Sequence, residues 1–401
     1  MRHPRIFLLL LFLLANLSGC GPGKKSPAAD ISSSEIPSAE KILAEKIAEM
    51  EKQAEKIVQN LDDKDLAAQV IMAGIDGNVR ISAAMRPLLE EIPVGAYMLF
   101  RYNLGGEKEA VRNFLEECSA LTEAAGAGIR PFAAVDHEGG DVHRFSPAVE
   151  RLPPALSYWE AAQKSGGEAA LQKAGEDAFR SGSEIHEWGI NLNLAPVAEI
   201  LTEENKKFLE GRSYGGDPQF TAAAAAAFVR GMGEAGVACA AKHFPGNTGT
   251  DPHTGRGEMN ADRAALDRMV FPFAEMIRSG PPSFIMVSHV FLPSIDKEKN
   301  ASLSPKVMNG WLRGDLGFRG VILTDDFSMA AAEASGLGPG ESAVEALNAG
   351  ADMVMVWPVN LRSVHRHILL ALTENRIPRE RLEDAAERII LEKIRFGLIK
   401  E

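Results

Sequence analysis

Short apolar runs alternate with amphipathic stretches along most of this chain, and this alternation restricts the possible folds more than any other feature. Eight runs have the length and composition of buried strands, and the stretches between them have the apolar spacing of helices. Such an order is typical of a parallel sheet, in which each helix returns the chain to the same edge. The predicted strands are 70–75, 94–100, 132–135, 190–194, 237–241, 284–287, 321–323 and 352–356.

Eight strand–helix units favour an α/β fold built as a single (β/α)8 TIM-type barrel. We expect an N-terminal helix over 38–60, a barrel domain over 61–401, and no second C-terminal domain. A doubly wound open sheet is the alternative, but no glycine-rich phosphate fingerprint follows the first predicted strand. Helices are predicted over 80–90, 108–124, 155–188, 218–235, 262–279, 304–313, 342–349, 362–374 and 379–396.

The first residues resemble an export signal. Two arginines precede an apolar run over 6–15, which is too short for a good transmembrane span, and the segment LSGC at 17–20 resembles a bacterial lipobox. We therefore expect a signal peptide over 1–19, lipidation of Cys20, and a flexible tether over 20–37. This predicts an exported protein of the cell envelope, anchored to a membrane, with the outer membrane or cell surface favoured. An ordinary secretory signal is the alternative.

The overall charge of the chain argues against one class of partner. The formal net charge is −12, whereas binding to nucleic acid needs a basic surface, so no nucleic acid partner is expected. With 45% hydrophobic and 24% charged residues, the composition is typical of a globular protein, which we expect to be a monomer. Cys118 and Cys239 are expected to be buried apolar residues and not a disulfide.

Polar residues follow five of the predicted strands. In a barrel of this kind the chemistry lies at the C-terminal ends of the strands, so these side chains are expected to converge. Taken singly, His289 could be a hydrogen-bonded core histidine, and Arg212 could pair with Asp217 on the surface. The residues are Asp136, His137 and Glu138 after the third strand, Arg212 after the fourth, Lys242 and His243 after the fifth, Ser288 and His289 after the sixth, and Thr324, Asp325 and Asp326 after the seventh.

Four motifs in this order resemble glycoside hydrolase family 3, and in particular its bacterial β-N-acetylglucosaminidases. The motifs are VDHEGG at 135–140, KHFPG at 242–246, DPH at 251–253 and TDDFSM at 324–329, and the resemblance covers roughly residues 57–398. It implies that Asp325 is the nucleophile of a retaining glycosidase and that His253, oriented by Asp251, is the acid/base. It also implies that the sugar is held by Asp136, Arg212, Lys242, His243 and His289.

An imidazole beside a carboxylate is chemically suited to the acid/base role. A histidine titrates near neutral pH, and the neighbouring carboxylate fixes its tautomer and stabilises the protonated ring. The sequence departs from the family in three motifs. The loop from Asn247 to His253 is about two residues shorter, lacks one histidine and has Pro252 for serine. His137 and Asp141 stand where glutamine and arginine are usual, and Glu199 stands where aspartate is usual.

The sequence therefore predicts an exo-β-N-acetylglucosaminidase that uses no metal or other cofactor. Its expected carbohydrate substrates are peptidoglycan fragments or chito-oligosaccharides with terminal β-linked GlcNAc. Phosphate could replace water as the acceptor, because an imidazole repels an anion less than a carboxylate does. Three alternatives remain: a family 3 glycosidase of other specificity, such as a β-glucosidase; a metal-dependent barrel hydrolase; and a non-catalytic sugar-binding lipoprotein. The metal ligands of the second would be His243, His253, Asp251 and Asp325.

Overall fold

A computed structural model of the protein describes residues 39–145, 148–333 and 335–400. The predicted signal peptide, the lipidation site at Cys20 and the tether lie outside the described residues. Within the described ranges, no helix is both long enough and apolar enough to cross a membrane.

Eight parallel strands close into one barrel, which confirms the predicted (β/α)8 fold. Each strand pairs with the next one along the chain, and the last pairs with the first. All residues of these strands are buried, as expected of a parallel sheet that is covered by helices. The strands are Ile71–Gly74 (β1), Ala96–Leu99 (β2), Phe132–Val135 (β3), Leu192–Asn193 (β4), Ala238–Phe244 (β5), Phe284–Val287 (β6), Val321–Asp326 (β7) and Met353–Val356 (β8).

Helices surround the barrel. The α-helices are Ala39–Val58, Asp63–Gln69, Arg86–Glu91, Lys108–Ala125, Ala155–Ser165, Gly167–Glu187, Lys206–Leu209, Pro218–Glu234, Arg263–Ser279, Ala330–Glu333, Pro339–Ala349, Leu361–Thr373 and Arg379–Arg395. A π-helical segment spans Lys306–Asp315, and short 3-10 turns span Arg101–Leu104, Glu210–Arg212, Ala301–Leu303 and Pro358–Asn360.

Local chemistry explains where helix Pro218–Glu234 begins and why it packs closely. The Asp217 side chain accepts the N–H of Phe220, and a proline fills the first turn, which are both favoured at a helix start. A Cβ on Gly231 would lie 2.3 Å from the carbonyl oxygen of Gly175, so only glycine permits this approach to helix Gly167–Glu187. Because its side chain accepts the Phe220 N–H, Asp217 is the N-cap of this helix.

Several features differ from the sequence expectation. The helix predicted over 80–90 is only Arg86–Glu91, and helix Asp63–Gln69 was not predicted. The helix predicted over 155–188 is two helices, because Gly166 has a φ of 99° and interrupts the helical backbone. An antiparallel hairpin of Phe291–Leu292 and Asp296–Asn300 follows β6 and was not predicted. The strands β5 and β7 extend further than predicted, so Lys242, His243, Asp325 and Asp326 lie within strand ends and not after them.

The N-terminal helix Ala39–Val58 packs on the last helix, Arg379–Arg395. Ala54 and Val58 of the first helix form an apolar cluster with Ile390 and Ile394 of the second. This contact joins the start of the described chain to its end.

The last helix also carries a buried lysine. Lys393 is 0% exposed, and its Nζ donates a hydrogen bond of 2.7 Å to Oε1 of Gln69, whose own amide donates to the carbonyl of Pro93 at 3.0 Å. Burial lowers the pKa of Lys393 to about 7, and the charge of Glu123 offsets only part of this effect. The ammonium form is therefore costly in the folded state.

Replacing this lysine should change how stability depends on pH. In the unfolded chain the amine keeps its ordinary pKa of about 10.4. Between about pH 7.5 and 9.5 the unfolded state therefore binds more protons than the folded state, and stability rises with pH. We expect the unfolding free energy of the wild type, relative to Lys393→Met, to rise by about 1.4 kcal/mol per pH unit across this interval.

Urea unfolding at several pH values measures this difference. Lys52→Met, at an exposed position on the N-terminal helix, is the matched control and should follow the wild type at every pH. Parallel curves for the wild type and Lys393→Met would show that the buried amine is not perturbed.

Candidate active site

One cavity of about 380 Å³ opens at the C-terminal ends of the barrel strands. The structure brings six of the predicted site residues to its wall, and Asp251 lies beside one of them. The six residues are Asp136, Arg212, Lys242, His243, His253 and Asp325.

The end of β5 supplies two neighbouring residues to this cavity. Successive residues of a regular strand point to opposite faces, so Lys242 and His243 would normally diverge. Here the peptide bond between Lys242 and His243 is cis, and the register between β5 and β6 shifts between Ala241 and Phe244, so the strand is not regular at this point. Both Lys242 and His243 consequently line the cavity.

A cluster of five charged side chains forms one wall of the cavity, and we call it the charged cluster. Nζ of Lys242 lies 2.6 Å from Oδ1 of Asp136 and 2.7 Å from Oε1 of Glu138. Arg212 donates to both carboxylate oxygens of Glu138, at 2.8 and 3.0 Å. Arg144 donates to Oδ2 of Asp136 at 3.2 Å. Three cations therefore surround two anions.

The charged cluster is ionised at neutral pH. Burial alone would raise the pKa of Asp136, but Lys242 and Arg144 outweigh it and the net pKa is lowered. The pKa of Glu138 is also lowered, because Lys242 and Arg212 outweigh the effect of its burial. Burial alone would lower the pKa of Lys242, and the two carboxylates raise it instead. The site thus presents fixed cations and carboxylates that suit the hydroxyl and amide groups of a polar ligand.

Glu138 was expected at this face but had no predicted role, and Arg212 has a different partner from the one considered. The spacing of two between Asp136 and Glu138 places both carboxylates on one face of an extended segment, which is a signal that the sequence carries. Arg212 pairs with Glu138 and not with Asp217, whose side chain caps a helix.

Two adjacent carboxylates end β7, and they have different surroundings. Asp325 lines the cavity and accepts the backbone N–H of Asp326 at 2.9 Å. Asp326 accepts the N–H and the hydroxyl of Ser328, at 2.9 and 2.8 Å, and the neighbouring Trp357 indole also stabilises its charged form. Burial raises the pKa of Asp326, and these hydrogen bonds offset only part of the rise. Both aspartates line the cavity, but the carboxylate of Asp326 is engaged by Ser328, whereas that of Asp325 accepts only a backbone N–H among the described contacts.

His253 and Asp251 form a pair on the loop after β5. Nδ1 of His253 lies 2.8 Å from Oδ1 of Asp251, which also accepts the backbone N–H of His253 at 2.9 Å. The imidazole side chain is 65% exposed at the rim of the cavity. Burial would raise the pKa of Asp251, but the hydrogen bonds from His253 lower it. The carboxylate favours the tautomer with the proton on Nδ1, which leaves Nε2 for proton transfer.

Glu199 connects β5 to this loop. Its carboxylate contacts Nδ1 of His243 at 2.6 Å and accepts the backbone N–H of Asn247 at 2.5 Å and its side-chain amide at 3.1 Å. Glu199 therefore fixes the His243 ring and the first part of the loop together. From the sequence, Glu199 was recognised only as a departure from the family, and no role was predicted for it.

The structure places His289, a predicted substrate-binding residue, outside the wall of this cavity, and its role stays a prediction. The side chain is buried, is not part of the cavity wall, and uses both ring nitrogens within the protein. Nδ1 contacts the hydroxyl of Ser302 at 2.7 Å, and Nε2 contacts the carbonyl oxygen of Asp326 at 3.0 Å. His289 is thus the core histidine of the alternative interpretation, and it holds the end of β7.

The alternative of a metal-dependent hydrolase finds no support in this geometry. Among the described residues, no three His, Cys, Asp or Glu side chains are grouped so that they could hold a metal ion. Nδ1 of His243 and of His253 each contacts a carboxylate, from Glu199 and Asp251 respectively.

Sequence comparisons identify relatives of the chain. The model of the family "Glycosyl hydrolase family 3 N terminal domain" matches residues 42–391. The beta-hexosaminidase of Stenotrophomonas maltophilia (strain R551-3) is 34% identical over 292 residues, which cover 72% of this chain and 83% of that protein. The beta-hexosaminidase of Xylella fastidiosa (strain M23) is 35% identical over 295 residues, with the same two coverages.

Solved structures share the barrel. A glycoside hydrolase family 3 beta-N-acetylglucosaminidase from Paenibacillus sp. str. FPU-7 has a TM-score of 0.77 and 33% identity, and the match covers 84% of this chain but only 63% of that chain. The beta-N-acetylhexosaminidase from Beutenbergia cavernae DSM 12333 has a TM-score of 0.73 and 28% identity, with coverages of 83% and 99%. The chain therefore belongs to glycosyl hydrolase family 3.

Proposed function

We propose that the protein is a retaining exo-β-N-acetylglucosaminidase. The observation that carries the proposal is that Asp325 and His253 line the same cavity, with Asp251 held against the imidazole. One carboxylate and one oriented imidazole are the two groups that a double displacement at an anomeric carbon requires. The beta-hexosaminidase relatives support β-linked N-acetylhexosamine as the sugar that is released.

In the first step, a carboxylate oxygen of Asp325 attacks the anomeric carbon and forms a glycosyl ester. The bond to the leaving oxygen breaks, and Nε2 of the protonated His253 gives its proton to that oxygen. In the second step, the neutral imidazole takes a proton from water as the water oxygen attacks the same carbon. The ester bond to Asp325 breaks, and the sugar leaves with its configuration retained.

The charged cluster would hold the terminal sugar during both steps. Lys242 and Arg212 can donate to its hydroxyl and carbonyl oxygens, and Asp136 can accept from its hydroxyls. Peptidoglycan fragments or chito-oligosaccharides with terminal GlcNAc are the proposed substrates. Phosphate is a second possible acceptor in the second step, because the imidazole adds no negative charge there.

We also propose that the protein is an exported monomer that is anchored to the outer membrane or cell surface through Cys20. The supporting observation is the sequence pattern of charged start, apolar run and lipobox, which lies outside the described residues.

The catalytic roles predict different defects for two substitutions. With p-nitrophenyl β-GlcNAc, Asp325→Asn should lower kcat by at least about a thousandfold, because no nucleophile remains. His253→Ala should lower kcat by about a hundredfold or more through slow release of the glycosyl enzyme. Azide should restore turnover of His253→Ala and yield the β-glycosyl azide, since azide needs no general base.

His367→Ala, on helix Leu361–Thr373 and away from the cavity, is the control and should keep wild-type kinetics with no response to azide. An α-azide product would contradict retention, and absence of any azide effect would contradict the assignment of His253. Lack of p-nitrophenyl β-GlcNAc hydrolysis by the wild type would contradict the proposed activity.

If a lipid on Cys20 anchors the protein, replacing Cys20 should change how the protein partitions between detergent and water. Full-length protein expressed in a bacterium should enter the detergent phase of a Triton X-114 extract, and Cys20→Ala should enter the aqueous phase. Ser26→Ala, within the tether, is the matched control and should behave as the wild type. An aqueous wild-type protein would favour the ordinary secretory signal instead.

A further inference from the structure

Three aromatic rings stack in a row at the rim of the cavity, and we call them the aromatic stack. The rings of Tyr102 and Phe100 have centroids 5.7 Å apart and planes 13° apart. Those of Phe100 and Trp357 are 4.7 Å and 4° apart. Phe100 and Trp357 line the cavity, and Tyr102 continues the stack outward. These residues follow β2 and β8, and the proposed mechanism uses none of them.

The aromatic stack is held at both ends. The Tyr102 hydroxyl donates to the carbonyl of Ile75 at 3.0 Å, and the Trp357 indole lies beside the Asp326 carboxylate. Gly74, at the end of β1, leaves the room that the rings need, because a Cβ there would lie 2.9 Å from Cδ of Pro358 and 3.4 Å from Cε2 of Phe100. A ligand would therefore meet rings that are already ordered, which lowers the entropic cost of binding.

Apolar surface is exposed beside this stack. Tyr102 is 41% exposed, and Val359, two residues after Trp357, is 87% exposed. Large apolar side chains that are rigid and exposed at the rim of a cavity are typical of ligand-binding surfaces. The stack carries no charge, so it suits a neutral ring with an apolar C–H face better than a charged peptide.

The wall of the cavity is chemically divided. The charged cluster comes from the segment after β3, the end of β5 and the loop after β4. The part of the wall contributed by β2 and β8 is apolar, because Met98 and Met355 lie there with Phe100 and Trp357. A terminal sugar held by the charged cluster would leave the aromatic side to the group beyond the scissile bond. We propose that the aromatic stack is the leaving-group subsite and binds a second pyranose ring.

This inference rests on the proposed function, and a binding experiment separates the two. In an Asp325→Asn background hydrolysis should be at least about a thousandfold slower, so the affinities of GlcNAc and of its β-1,4-linked disaccharide can both be measured by calorimetry. The dissociation constant of GlcNAc measures binding at the terminal-sugar subsite alone. The ratio of the dissociation constants of GlcNAc and the disaccharide measures the contribution of the second subsite.

The second subsite predicts that the disaccharide binds roughly tenfold more tightly than GlcNAc. Adding Trp357→Ala should remove most of this advantage and leave the affinity for GlcNAc unchanged. Trp357→Phe should keep most of it, because an aromatic ring remains. Tyr102→Ala should reduce it in part. Phe179→Ala, which removes an exposed aromatic ring on helix Gly167–Glu187 away from the cavity, is the matched control and should change neither affinity.

Two outcomes would contradict the proposed leaving-group subsite and leave the proposed function unaffected. Equal losses of affinity for GlcNAc and the disaccharide in Trp357→Ala would assign the rings to the terminal sugar. A disaccharide advantage that survives Trp357→Ala would show that the second ring binds elsewhere. Failure of GlcNAc itself to bind would overturn the proposed function and the subsite with it.

Discussion

The rest of the site depends on two ion pairs, which the buried Lys242 ammonium makes with the carboxylates of Asp136 and Glu138. Moving charged groups out of water costs several kcal/mol per ion, so such a cluster is tolerated only when its members are paired. Arg212 and Arg144 complete the pairing from two other segments. The donors are therefore fixed in direction before a sugar arrives, which is the preorganisation that electrostatic catalysis requires.

The proposed active site combines this rigid wall with an exposed acid/base. Asp325 ends a buried strand, whereas the His253 side chain is mostly exposed on its loop. Glu199 links the two parts, because its carboxylate contacts both His243 at the end of β5 and Asn247 at the start of the loop. A glycosidase needs this combination: a nucleophile at a fixed position, and a proton donor beside an opening through which the leaving group departs.

The barrel and most of the site could be predicted from the sequence because their signals are local. Apolar alternation marks the strands, and polar residues at strand ends mark the catalytic face. The roles of Glu199 and His289 could not be predicted in this way. Glu199 is 44 residues from His243 in the chain, and His289 is 37 residues from Asp326, so only the closed barrel reveals these contacts. The break at Gly166 is local, but a single glycine within an apolar helical pattern is a weak signal.

The measurement that tests the central claim most directly is capture of the covalent intermediate. A slow fluorinated β-GlcNAc donor with a good leaving group should accumulate the glycosyl enzyme, and peptide mass spectrometry then locates the sugar. The account predicts one N-acetylglucosaminyl group on Asp325, with none in Asp325→Asn. A sugar on another residue, or turnover of the donor by Asp325→Asn at the wild-type rate, would contradict it.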